Sequence, residues 1–509
     1  MSTDLTSNKR IAKNTIFLYL RMFFVLIVSL YTSRVVLNVL GVSDYGVYNI
    51  VAGFVLLFGF LNATLSSSMQ RFYNYEGGKR GTDGYRDVYS TGFWIHLILA
   101  TIIFILLESF GIWYINNIMV IDSTRLMAAN YLFQFSSLSM VFLILQVPYL
   151  SAIIANERMN YYAVVSIVDV ILKLIIVIVL PYISYDKLIV YGSLSLIIAI
   201  ADFLMFYIYA KRKFQFIELS VSVNSQIFKE LLSFSGWNLL GTFAFLLKGQ
   251  GLNLLLNVFF STVVNAARGV AFQVNGAISG FTNNIATAFR PQIVDSYAKG
   301  ELDRTRILMF SESKYCYCLI LILILPVILE IDYLLYLWLG DAIPHQTNVF
   351  SILVLIDLLL CTLNTPVTQI AFATGNIKKY QIFNSAVNLL LLPVCYVFLK
   401  MGYEAQSAFL LTIGFTMINQ VVCLIVLHQQ FEFSYSSYLR QIIIPCAVIS
   451  ILLPIIPLIV RLTMEESVFR LMLIGLLDVI LSIVCIYYLV LNKSEQLLIT
   501  QYIHKKICH

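Results

Sequence analysis

Apolar runs of roughly 20 residues recur from Thr15 to Leu491, parted by short polar connections. Each is long enough to cross the ~30 Å hydrocarbon core of a bilayer as a helix. Fourteen spans are predicted, near 15–40, 45–70, 89–115, 124–149, 160–182, 187–210, 232–259, 262–289, 308–335, 346–372, 379–400, 405–428, 440–461 and 468–491. They are numbered 1 to 14 below. The longest polar connections fall near 71–88, 211–231 and 290–307. A transmembrane barrel would show short alternating segments instead. The pattern predicts an all-α polytopic membrane protein. The residues before Ile11 are polar, so the first run reads as a retained span and not as a cleaved signal.

Lysine and arginine give an orientation, because cytoplasmic ends of spans are enriched in them. One set of span ends holds 23 of the 33 cationic residues, among them Arg71, Arg158, Lys211, Arg290, Lys378 and Arg440. The opposite ends hold five (Arg125, Lys187, Lys400, Arg461, Arg470), and five fall inside spans. Both termini are therefore expected on the cytoplasmic side.

A faint repeat runs through the chain. Shifted by 219 residues, "VVLNVLG" (35–41) lies over "LLLNVFF" (254–260), Arg71 over Arg290, and Gly81 over Gly300. A shift of 218 puts Pro148 on Pro366 and Tyr162 on Tyr380. The near-constant offset implies two six-helix lobes, spans 1–6 and 7–12, followed by two C-terminal helices. The expected divisions are 1–210, 211–430 and 431–509. Six is even, so the lobes run in the same direction, as in transporters built from parallel repeats.

Composition sharpens the class. The chain is 60% hydrophobic and 12% charged, against about 25% charged in a soluble domain. No basic domain lies outside the spans, so nucleic acid is not an expected partner. The eight cysteines form no metal or disulfide framework. Neither a phosphate-binding glycine loop nor a nucleophile–base pattern appears, so the chain reads as a non-enzyme without a cofactor. It carries no soluble ATPase domain, and transport would draw on an ion, potential or substrate gradient.

Ionisable groups inside spans are expensive and by default face a bundle interior or a wet cavity. Arg34 lies about six residues, or roughly 9 Å, below the outer end of span 1. It either snorkels to the headgroups or lines a cavity, where a guanidinium holds a phosphate bidentately. Arg21, near the cytoplasmic end, reads as snorkelling. Lys248 is deep in span 7, beside "KGQG". Arg268 opens a polar stripe with Asn275, Ser279 and Thr282 along span 8. Asp169 and Lys173 are four apart in span 5 and can pair on one face. Asp202 in span 6 and Asp357 in span 10 are possible proton or sodium sites, whereas Asp478 in span 14 lies outside the lobes and reads as structural or lipid-related. Deep cations exceed deep acids in spans 1, 7 and 8, which favours an anionic substrate and argues against a cation or drug exporter.

With six-plus-six-plus-two spans the chain resembles the multidrug/oligosaccharidyl-lipid/polysaccharide exporter superfamily. Within it the chain looks like the bacterial polysaccharide flippases of the Wzx type. The resemblance rests on "SRVVLNVLGVSDYGVYNIV" (33–51), "SSSMQRFYNYEGG" (66–78) and "AFRPQIVDSYAKGE" (288–301). The arginine before the "LGVSDYG" turn, Arg34, fits flippases for undecaprenyl-diphosphate-linked sugars. Span 1 lacks the acidic residue of the drug-exporting branch.

The resemblance implies alternating access in the bacterial inner membrane. A lipid-linked oligosaccharide passes from the cytoplasmic to the periplasmic leaflet, for O-antigen (lipopolysaccharide), capsule or another surface polysaccharide. It implies Arg34, Lys248 and Arg268 at the anionic headgroup, with Asp202 and Asp357 as coupling-ion candidates. The expected partners are the lipid-linked substrate, membrane lipids and other polysaccharide-assembly proteins. Rival readings are a lipid-linked peptidoglycan-precursor flippase, a drug/cation antiporter of the same superfamily, and a membrane polysaccharide polymerase or ligase. The last of these would carry a large outer loop, and every predicted outer loop here is short.

Overall fold

The computed structural model describes residues 2–156, 158–218, 224–225, 227–229, 241–374, 377–491, 493 and 495–497. Among the described residues there are helices, turns and no strand. Eleven helices among the described residues are long and apolar enough to cross a membrane. The remaining expected spans are carried on longer or composite helices. Spans 1 and 2 share the helix Ser2–Leu56, broken at Gly41 (φ 77°, ψ 167°). Span 2 runs on through Leu57–Gly59 into Phe60–Leu106. Span 7 ends in Leu252–Phe259, and its residues 232–240 lie outside the described residues. Span 8 begins the helix Thr262–Ala298. The fold is all-α and multi-pass, and the described parts of the expected spans are mostly helical, with turns at 146, 330 and 453–454 inside spans 4, 9 and 13.

Two polar connections prove more ordered than expected. The stretch 71–88 is helical except at Gly81 (φ 60°). Polarity there marks helix leaving the membrane, and Arg80 braces the corner by bonding Glu76 and Asp87, both at 2.8 Å. Likewise the helix through 290 continues to Ala298, and Gly300 (φ 75°) makes the turn before Leu302–Leu329. Positive φ is a conformation that a side chain disfavours. Gly81 and Gly300 are thus the same device, 219 residues apart.

Other features recur within a residue of that offset. Pro148 and Pro366 each stand in the first turn of a restarted helix, Val147–Ala155 and Thr365–Ala373. Proline fits there because a first-turn N–H has no helical acceptor. Span 2 meets span 4 at Ser66 Oγ and Ser151 Oγ, 3.2 Å apart. Span 8 meets span 10 where Gln369 Nε2 donates to the Ala286 carbonyl at 3.0 Å.

By packing, the chain forms two compact units, 1–269 with 392–405, and 270–391 with 406–509. The expected divisions 1–210, 211–430 and 431–509 count spans instead. By packing, the described part of span 7 belongs with spans 1–6, and spans 13 and 14 belong with spans 9, 10 and 12. Lipid tails are as apolar as leucine, so close fit and polar contacts hold membrane helices together. In the first unit Phe54 stacks on Tyr114 at 5.3 Å and packs on Phe133. Gly46 lies so close to the Thr262 carbonyl that a Cβ would stand 2.0 Å from the oxygen. The second unit is centred on buried Leu321, Leu325, Leu355, Ile442 and Ile474.

Candidate functional site

The three cations expected at the headgroup all belong to the first unit. Lys248 is half-buried within Leu247–Gly251, where span 7 widens into a π-turn. Such single-turn widenings interrupt the regular helical ladder and recur at functional sites. Arg268 is 4% exposed, and its Nη2 donates to the Gly249 carbonyl at 2.7 Å. Packing therefore brings Arg268 to the turn that carries Lys248. Arg34 is half-buried in span 1, seven residues before the Gly41 break. Farther along the expected stripe, Asn275 and Ser279 are half-buried and Thr282 is buried. The side chains of Arg21, Arg71 and Arg290 lie outside the described residues.

Along spans 7 and 8, which carry Lys248 and Arg268, runs a chain of asparagines. Asn257 grips Val120 with both ends of its amide. The Val120 N–H donates to Oδ1 at 2.8 Å, and Nδ2 donates to the Val120 carbonyl at 3.1 Å. The amide presents an acceptor oxygen and an NH2 beside each other, so it can pair with a peptide group and keep a second N–H for another partner. Asn257 Nδ2 also donates to Asn265 Oδ1 (3.2 Å), and Asn265 Nδ2 donates to the carbonyl and Oδ1 of Asn253, both 2.8 Å. Asn253 Nδ2 reaches the Asn49 carbonyl at 3.3 Å. These bonds tie the ends of spans 7 and 8 to span 2 and to the connection after span 3. A sequence signal existed: Asn257 is the asparagine that the repeat lays over Asn38.

The same face of the unit carries an ion cluster that sequence reading missed. Arg125, which the sequence offers only as an outer-end cation, bonds two carboxylates. Its Nε and Nη2 reach Asp44 at 2.7 and 2.5 Å, and its Nη1 and Nη2 reach Asp186 at 2.5 and 3.2 Å. Asp186 also caps span 6 by accepting from the N–H groups of Leu188 and Ile189. Burial opposes ionisation of Asp186, but the bonds from Arg125 and from those N–H groups outweigh it and hold its carboxyl below the usual range. One guanidinium thus joins the "LGVSDYG" turn, the connection after span 3 and the start of span 6.

In the same unit, spans 2, 4, 5 and 6 line a half-open cavity of about 380 Å³. Its polar lining includes Ser136, Gln146, Asp169, Lys173, Tyr191 and Asp202. Lys173 Nζ sits 2.8 and 2.9 Å from the two oxygens of Asp169, the pairing their spacing predicts. Asp202, which has no partner nearby in sequence, faces the same cavity. Its Oδ1 is buried with no hydrogen-bond partner among the described residues. Asp357, the other acid singled out, belongs to the second unit and accepts from Thr416 Oγ1 at 2.5 Å. The two acids thus belong to different units. Among the described residues no group of three His, Cys, Asp or Glu side chains is placed to hold a metal.

Many apolar helices, buried polar seams and cations deep in the spans define a multi-pass α-helical membrane protein. No family model matches the chain, and no curated protein matches it either. Solved structures share its fold. One is the lipid II flippase MurJ in an inward closed conformation, at a TM-score of 0.72 and 14% identity, covering 92% of this chain and 98% of that one. Another is an inward-facing multidrug resistance MATE family transporter of the MOP superfamily, at 0.66 and 14%, covering 79% and 94%. A third is a MOP superfamily transporter from Pyrococcus furiosus, described by the reverse polarity of its binding pocket, at 0.58 and 13%, covering 84% and 96%. At these identities the likeness is one of fold. The chain has the fold of MOP superfamily transporters.

Proposed function

We propose that the protein is a flippase of the bacterial inner membrane. It moves an undecaprenyl-diphosphate-linked oligosaccharide from the cytoplasmic to the periplasmic leaflet by alternating access, and its termini are cytoplasmic. The product feeds O-antigen, capsule or another surface polysaccharide. The observation that carries this reading is the set of cations in spans 1, 7 and 8, on a fold shared with a lipid-carrier flippase. A diphosphate is a dense anion that guanidinium groups hold in charge-assisted pairs. Arg34, Lys248 and Arg268 take the headgroup, while the polyprenyl tail stays in lipid.

Transport draws on a gradient. Asp202, beside the Asp169–Lys173 pair, is the coupling acid of the first unit, and Asp357 is a candidate in the second. A lipid-linked peptidoglycan precursor carries the same diphosphate chemistry, and the fold shared with MurJ favours it as the second reading. The cations in spans 1, 7 and 8 speak against a drug/cation antiporter.

Deletion of the gene followed by lipid analysis tests the reading. Undecaprenyl-diphosphate oligosaccharide should accumulate on the cytoplasmic leaflet. Unchanged lipid-linked glycans with altered drug sensitivity would sink it. Arg34→Ala and Arg268→Ala should each cut export at least tenfold at normal expression, with lysine at either position partly tolerated. Full export in both alanine variants would remove the headgroup assignment.

A further inference from the structure

Span 14 buries one stripe at four-residue spacing: Arg470, Ile474, Asp478 and Ser482. The stripe belongs to the second unit, where span 14 packs on Leu302–Leu329 of span 9 and on Ile455–Thr463 of span 13. Its outer end is anchored by a buried ion pair, Arg470 Nη2 to Glu330 Oε2 at 2.7 Å. Beyond its inner end, Glu495 accepts from Lys314 Nζ at 2.6 Å and from the Tyr315 hydroxyl at 2.7 Å.

Asp478 stands between these anchors, eight residues and about 12 Å along the helix from Arg470. It is 0% exposed, and neither carboxylate oxygen has a hydrogen-bond partner among the described residues. Ser482, one turn on, is also 0% exposed and its hydroxyl is likewise unpartnered.

Every cation on the packed elements is engaged elsewhere. Arg470 serves Glu330, Lys314 serves Glu495, and Arg461 pairs with Asp332 at 3.5 Å. At the inner end of span 9, Arg304 pairs with Glu301 and Arg306 with Asp303. The remaining titratable groups offer no positive charge. Tyr317 bonds Ser450 at 2.8 Å, Glu312 accepts from Gln369 at 2.8 Å, and Cys316, Cys318, Cys446 and Cys485 are free thiols. An ionised carboxylate in this seam would lose its hydration shell and gain no donor in exchange.

We propose that Asp478 is a buried proton-binding site: the seam of span 14 on spans 9 and 13 is built around a neutral carboxylic acid. The neutral acid has one donor and one acceptor; Ser482 stands one turn on but is not bonded to it, so nothing among the described residues of the seam stabilises the charged form. Removing the proton leaves a bare charge in the seam and loosens span 14 between its two anchors. The site does not rest on the flippase reading, since it involves neither substrate nor the cations of the first unit.

Infrared spectroscopy of the full chain in lipid at pH 7 tests this. The spectrum should contain the carbonyl stretch of a neutral carboxylic acid. That band should move when aspartate is labelled with carboxyl ¹³C, a test that needs no variant. It should lose intensity in Asp478→Asn, whose amide matches the neutral acid in shape and polarity. Three results would each overturn the site: no label-sensitive band in the wild type, a full-intensity band in folded D478N, or a D478N chain that no longer folds.

Discussion

The outer ion cluster and the inner acid cavity of the first unit hold carboxylates in opposite conditions. Asp44 and Asp186 share one guanidinium, and Asp186 takes two further N–H bonds from the helix it caps. Asp202 lines a cavity with one buried oxygen unserved. A carboxylate with several donors is a fastener, because those bonds tie the elements that carry them together. One that lacks donors and borders a cavity has capacity left for a proton or a cation. The contrast separates acids whose bonds are filled from acids with bonding capacity left, which composition alone cannot do.

The sharpest way to break the comparison is to remove the fastener. Arg125→Ala strands two part-buried carboxylates and should cost about 3 kcal/mol, toward the lower end of what an orphaned buried charge costs. Arg125→Lys should recover part of that by keeping a charge while losing the fork. Thermal unfolding of both variants against wild type checks the order. Acid should act next, and more weakly. The folded carboxyl of Asp186 lies below its ordinary value, so its contribution is full above the unfolded value and fades as pH falls through the folded one. The gap in unfolding temperature between wild type and R125A should therefore narrow below about pH 4, and a constant gap would contradict the assignment. Asp202→Asn should have the smallest effect on stability, within about 1 kcal/mol, because the amide keeps the shape of the carboxyl and one of its oxygens, Oδ1, serves no donor among the described residues. Its effect should appear in transport, as loss of dependence on the driving ion. A strongly destabilised D202N would make Asp202 a fastener too.

Much of the architecture was legible in the sequence. Helix periods and bilayer thickness fix span positions with little help from tertiary context, and the offset of 219 already paired Gly81 with Gly300. The Asp169–Lys173 pair was legible because one helix turn joins it. What stayed hidden depends on contacts distant in sequence. Arg125 meets Asp44 and Asp186 across 81 and 61 residues. The approach of Arg268 to Gly249 needs the hairpin of spans 7 and 8. The polar stretch 71–88 was read as a connection because hydropathy reports the membrane, not the end of a helix.

The central claim, that the chain flips a diphosphate-linked glycan lipid, is tested most directly by reconstitution. Purified protein in sealed vesicles, loaded on one leaflet with undecaprenyl-diphosphate oligosaccharide, should move the headgroup across when an ion gradient is applied. Movement should fall at least tenfold in Arg268→Ala, and lipid-linked peptidoglycan precursor in parallel vesicles should move more slowly. Equal rates in protein-free vesicles, or full activity in R268A, would contradict the account, and faster movement of the peptidoglycan precursor would replace the substrate.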